Sequence, residues 1–196
     1  MSTNRELLLL SCVVLLLLSS VQGEENHLSD RARTLTSALT ELQRQPDDPR
    51  LQLRYLDAFP HDYKSFLQLF DLDHDLYDGY DFISTLPSLA NEHDAEVGTL
   101  LVGLSKDAHW EADAPSHLQQ ATVAYAGQRT ATFVSLVEKL SSSERANLIK
   151  FLADVENHRS YKAYQQVIDN LRVLGQDKLA KEFEGARRKR MRQPHG

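Results

Sequence analysis

Apolar side chains recur three and four positions apart along most of this chain. Val97, Leu100, Leu101 and Leu104 form one stripe, and Phe133, Val134, Leu136, Val137 and Leu140 form a second. Leu148, Ile149, Phe151, Leu152 and Val155 make a third, and Tyr164, Val167, Ile168, Leu171 and Leu174 a fourth. This spacing puts each set on one face of an α-helix, and no segment sustains the two-residue alternation of a half-buried strand. The pattern predicts an all-α fold of about nine or ten short antiparallel helices in one irregular array. No repeat of fixed period is visible, so a regular solenoid is not expected.

Punctuation between the stripes agrees. Pro46-Asp47-Asp48-Pro49 divides the first two helices, Gly175 closes the helix containing Tyr164, and Ser141 with Glu144 forms a capping box before Leu148. Pro115 suits the first turn of a helix carrying Leu118, Ala121 and Tyr125. Asp113 is placed to cap that helix through its carboxylate. Gly98 and Gly103 fall within one helix, where each costs ~1 kcal/mol against alanine, so both are expected to mark close approach by a neighbour. Pro87 is expected to kink or split the segment from Tyr80 to Ala90.

The N-terminus changes the picture of where the protein works. Arg5 precedes an apolar run from Leu7 to Val21, broken only by polar residues such as Ser11 and Cys12, and Val21-Gln22-Gly23 ends in small residues. The run is shorter than the ~20 residues that cross a bilayer as a helix. It reads as a cleaved export signal, residues 1–23, and not as a transmembrane anchor. The expected destination is the periplasm in a Gram-negative source and the exterior otherwise. Residues 24–186 would form the single helical domain and residues 187–196 a basic, disordered tail. Cys12 is the only cysteine, so the exported part must be stabilised by packing without disulfides.

The formal charge of −6 conceals an uneven distribution. From Asp71 to Asp113 eleven acidic residues face the single Lys106, a local −10, whereas Arg187, Arg188, Lys189, Arg190 and Arg192 give the C-terminus +5. An acidic centre could steer a cationic partner, and the basic end could touch anionic surfaces. The remainder of the molecule would repel a phosphate backbone, so nucleic acid is not an expected partner.

Three clusters carry candidate chemistry. Asp107, His109, Trp110, Glu111, Asp113 and His117 lie close together, and Asp107, His109, Asp113 and His117 could hold zinc or a similar ion, although their spacing matches no established ligand motif. Trp110 is expected to wedge its loop against the core. The alternating aspartates from Asp71 to Asp81 resemble a calcium loop but place Leu76 and Phe82 where glycine and a bidentate glutamate are required. That segment reads instead as an acidic connection, with Asp78 or Asp81 capping the next helix and Tyr77 and Tyr80 flanking the core. Asp154 and His158 stand four residues apart, but no nucleophile or oxyanion hole accompanies them. No cofactor motif is present, and none is expected to bind.

Several landmarks together resemble a group of small exported bacterial all-helical proteins to which no activity is attached. They are Phe59-Pro60 with Tyr63, Phe66 and Phe70, then Leu76-Tyr77-Asp78 and Tyr80-Asp81-Phe82-Ile83, then His109-Trp110-Glu111-Ala112-Asp113-Ala114, then Phe151-Leu152-Ala153-Asp154. In that group aspartate more often follows the tryptophan, where this chain has Glu111. The resemblance implies a bacterial, exported, helical protein and no mechanism.

The leading expectation is a non-enzymatic protein that binds a basic protein partner, in the manner of an immunity protein or inhibitor, through Asp73, Asp75, Asp78, Asp81, Glu111 and Asp113. A metal-dependent hydrolase or metal-binding protein centred on His109, Asp113 and His117 is one alternative. A cell-envelope scaffold that uses the basic tail is another.

Overall fold

A computed structural model describes residues 28–70, 76, 77, 79–110, 113–155 and 158–192, which form ten helices and, among the described residues, no strand. The all-α expectation is met. The helices are α1 (residues 28–44), α2 (Pro49–Ala58), α3 (Tyr63–Leu69), α4 (Tyr80–Leu89) and α5 (Asp94–Ser105), followed by α6 (Ala114–Gln128), α7 (Thr130–Val137), α8 (Ser142–Leu152), α9 (His158–Val173) and α10 (Asp177–Arg192).

Side-chain caps explain three of the helix starts, those of α2, α3 and α8. The Asp48 carboxylate accepts from the Arg50 backbone N–H at 2.9 Å, just before Pro49 opens α2. Asp62 accepts from the Ser65 N–H at 2.8 Å to start α3, and this bond holds its carboxyl below the ordinary range. Both halves of the Ser141–Glu144 capping box are made, and Gly175 follows α9 with φ +73°. Pro115 lies in the first turn of α6, as its position implies. Asp113 does not cap that helix through its side chain: its backbone is already helical and its carboxylate engages another residue, described below. Pro87 lies within α4 but does not split it.

At the centre lie α5 and α6, each buried over most of its circumference. Val97, Leu100, Leu101, Val102 and Leu104 of α5 and Leu118, Ala121, Val123, Tyr125 and Ala126 of α6 are all in the core. Around α6 pack α4, α5, α7, α8 and α9. A Cβ on Gly98 would overlap the Tyr125 hydroxyl and lie 2.7 Å from Leu136 Cδ1, so glycine is what lets α5 approach α6 and α7. Gly103, by contrast, has nothing within 4 Å of its added Cβ, and the close approach expected there is absent.

Several polar groups enclosed by this crossing are paired. Tyr125 donates to the Asp94 carboxylate at 2.8 Å and Thr132 to its second oxygen at 2.7 Å, while Ser105 and Thr122 share a bond of 2.8 Å. Burial, then the adjacent Asp94 charge, pushes the Tyr125 hydroxyl well above its ordinary pKa. Gln119 donates from one amide to the carbonyls of Phe151 at 2.8 Å and Asp154 at 2.9 Å, serving the otherwise open C-terminal end of α8.

Two sequence expectations fail at helix ends. Leu174, the last member of the fourth stripe, lies one residue beyond α9 and is half exposed. Helix α10 continues through Arg187 to Arg192, where the basic tail was expected to be disordered. The physical reason is that its cations have partners on the body: Arg187 donates to the Ala153 carbonyl at 3.3 Å and lies over the Tyr161 ring, and Arg190 pairs with the Asp154 carboxylate. Residues 193–196 lie outside the described residues.

Gly98→Ala should destabilise the fold by about 2 kcal/mol, because the added methyl must displace packed side chains. Gly103→Ala should be neutral or stabilising by up to ~1 kcal/mol, since it removes only the glycine penalty. Urea unfolding monitored by the helical circular dichroism signal measures both.

Candidate functional site

Eight of the eleven acidic residues of the block come from two segments, residues 71–81 before and at the start of α4 and residues 107–113 before α6; Glu92, Asp94 and Glu96 lie around the start of α5. Gly79 makes the turn into α4 with φ +65°, and an added Cβ there would lie 2.7 Å from the Phe70 ring. That left-handed turn suits glycine. It lies just after Leu76, which is buried, and between Tyr77 and Tyr80, which are both exposed.

These two tyrosines reach across to the start of α6. The Tyr77 hydroxyl donates to the Asp113 carboxylate, 36 residues along the chain. Tyr80, the first residue of α4, meets His117 of α6 edge-on, with ring centroids 5.1 Å apart. The expectation that Tyr77 and Tyr80 flank the core is therefore incorrect: Tyr77 fastens one acidic segment to the other, and Tyr80 packs on α6. Their sequence signal is faint, because a tyrosine beside an acidic run reads equally well as a core anchor.

The second segment is fixed to the body at two further points. Tyr63 of α3 donates to the His109 carbonyl and accepts from its N–H at 3.2 Å, with the two rings 4.9 Å apart. Lys106 bridges Asp107 at 3.0 Å and Glu144 of α8 at 2.7 Å. Both carboxylates raise the lysine's pKa, with Glu144 the larger influence. Lys106 and Ser141 together hold the Glu144 carboxyl down at about 2.

Among the candidate binding residues, Asp81 stands exposed in the first turn of α4 and Asp113 is exposed beside Tyr77. Asp81 does not cap α4, which begins at Gly79 without a side-chain cap bond. Asp73, Asp75, Asp78 and Glu111 lie outside the described residues, as does His74.

The four candidate metal ligands do not converge. Asp107 faces Lys106, His109 faces Tyr63, Asp113 accepts from Tyr77, and His117 meets Tyr80. Among the described residues no group of three His, Cys, Asp or Glu side chains is arranged to hold a metal ion. Asp154 lies in the connection between α8 and α9, where it pairs with Arg190.

Beside Tyr80 and His117 a cleft of about 300 Å³ opens between α4, α6 and α9, with Ser84, Gln120 and Ser160 among its polar lining and Pro87, Ala124 and Val155 among its apolar lining. On the other side, Asp107 and His109 form a ridge between two open grooves of about 640 and 750 Å³.

No protein family, curated protein or solved structure matches this chain. Among the described residues no helix is long and apolar enough to cross a membrane.

Glu144 sets an acid-stability expectation. Its carboxyl has an ordinary pKa of 4.5 and a folded value of about 2. The stabilisation from this pairing is therefore fully present above the unfolded value and is lost as pH falls through the folded one. Glu144→Gln should unfold at lower urea than wild type at neutral pH, and the difference should shrink as pH is lowered from 4.5 towards 2.

Proposed function

We propose that this is an exported, non-enzymatic bacterial protein that works by binding a basic protein partner through its acidic face, as an immunity protein or inhibitor does. The observation that carries the reading is the hydrogen bond from Tyr77 to Asp113, which joins two acidic segments far apart in sequence. Carboxylates gathered on one face create a stronger local potential than the same charges scattered, and such a field accelerates encounter with a cation and disfavours wrong partners.

The only cation of the block strengthens the argument. Lys106 is occupied by Asp107 and Glu144, so it is not held by Asp81 or Asp113. The Tyr80–His117 cleft lies beside this face and offers a recess of about 300 Å³ for a partner side chain. The apolar N-terminal leader and the resemblance to exported bacterial helical proteins support the location.

The test compares wild type with a variant in which Asp73, Asp75, Asp78, Asp81, Glu111 and Asp113 are changed to their amides. Wild type immobilised in envelope extract should retain a basic protein at low salt and release it at high salt. Association with the captured protein should slow about tenfold or more in the amide variant, the lower end of the range for lost electrostatic steering. Equal retention and equal association rates in the two proteins would overturn the reading.

A further inference from the structure

The larger groove beside the ridge differs in chemistry from the acidic face. It lies between loop 106–110, α8 and α10, has a volume of about 750 Å³, and is lined by Trp110, Lys150, Phe151, Asp154, Lys189 and Arg190 among others. That volume is within the range of ligand sites, roughly 300 to 1,000 Å³.

Trp110 is a fixed platform here. Its ring packs on Phe151 with centroids 5.2 Å apart, and Phe151 is itself buried in the core. Yet 43% of the tryptophan remains exposed. The sequence expectation of a wedge accounts for the packed portion of the indole and leaves the exposed portion without a structural role. An anchored, half-wet aromatic ring is suited to stacking against another ring at little conformational cost.

The charges in the groove do not cancel. Arg190 is committed to Asp154, and Asp107 to Lys106. Lys150 from the last turn of α8 and Lys189 from α10 are exposed and form no ion pair among the described residues. Two uncompensated ammonium groups therefore line one groove of a chain whose formal charge is −6. An anion in the groove would be attracted by both, and long lysine stems can bring both charges to it.

We propose that this groove binds a small organic carboxylate built on a ring, with an apolar face of the ring against Trp110 and the carboxylate held by Lys150 and Lys189. The site is independent of the acidic face, since it takes the opposite charge on different residues. The shared chemistry, a ring bearing a carboxylate, can come from an aromatic acid or an acidic sugar.

Trp110 is the only tryptophan in the chain, so intrinsic fluorescence excited at the indole reports this groove alone. Four probes separate the contributions: benzoate and glucuronate carry both ring and charge, acetate only the charge, and glucose only the ring. At least one ring carboxylate should shift Trp110 emission saturably at concentrations where acetate and glucose do not, and the stronger of the two identifies the ligand source. Lys150→Gln and Lys189→Gln should each weaken that binding about threefold and together about tenfold, as expected for exposed charge pairs. Both lysines lie on the surface, so the folded state of these variants is checked by an unchanged helical circular dichroism signal. The proposal is overturned if acetate reproduces the response, if the double lysine variant binds as tightly as wild type, or if none of the four probes saturates. A variant of the acidic face with Asp73, Asp75, Asp78, Asp81 and Asp113 changed to amides, and Glu111 beside Trp110 kept, should bind the ring carboxylate as wild type does, so failure of one reading is distinguishable from failure of the other.

Discussion

The crossing of α5 and α6 is the constraint on which the rest of the architecture depends. Both helices are surrounded by others, so their polar atoms must be satisfied inside the protein or carry the full desolvation cost. Asp94, Tyr125 and Thr132 solve this in one connected set, and Gly98 leaves the space that the tyrosine hydroxyl occupies. Packing of this kind takes the place that disulfides hold in many small domains. The chain has a single cysteine, at position 12, so no disulfide can form within it.

From that crossing the order spreads outward through a few specific side chains. Gln119 of α6 binds the carbonyls of Phe151 and Asp154 at the end of α8, which fixes the connection carrying Asp154. Asp154 in turn receives Arg190, and the Ala153 carbonyl receives Arg187, so the end of α10 is folded against the end of α8. One buried amide thus connects the centre of the molecule with its C-terminal helix and with one wall of the Trp110 groove.

The helices and most of their ends were legible in the sequence because their causes are local. The Ser141–Glu144 box, Pro49 after Asp48, Pro115 and Gly175 all act within a turn or two of themselves. The failures share the opposite cause. Asp113 was read as a cap and Tyr77 as a core residue, because nothing near either one reveals that they bond to each other across 36 positions. Gly103 shows that a helical glycine need not mark a contact, since the identical local signal at Gly98 has a tertiary explanation and this one does not. The basic C-terminus was read as disordered for the same reason: a run of cations does not disclose in sequence that a carbonyl and a carboxylate await two of them.

The fastening of both charged regions has a consequence for how the molecule turns as it approaches a surface. Far away, a charged body experiences chiefly the net −6. Within about a Debye length, ~8 Å at physiological salt, it also senses where positive gives way to negative near loop 106–110. Because the carboxylate of Asp113 is tethered through Tyr77 and the ammonium of Lys189 rides on a folded helix, that boundary has a set direction in the body of the protein. Opposing pulls on its two sides exert a torque on the molecule, which favours one heading over the others during approach.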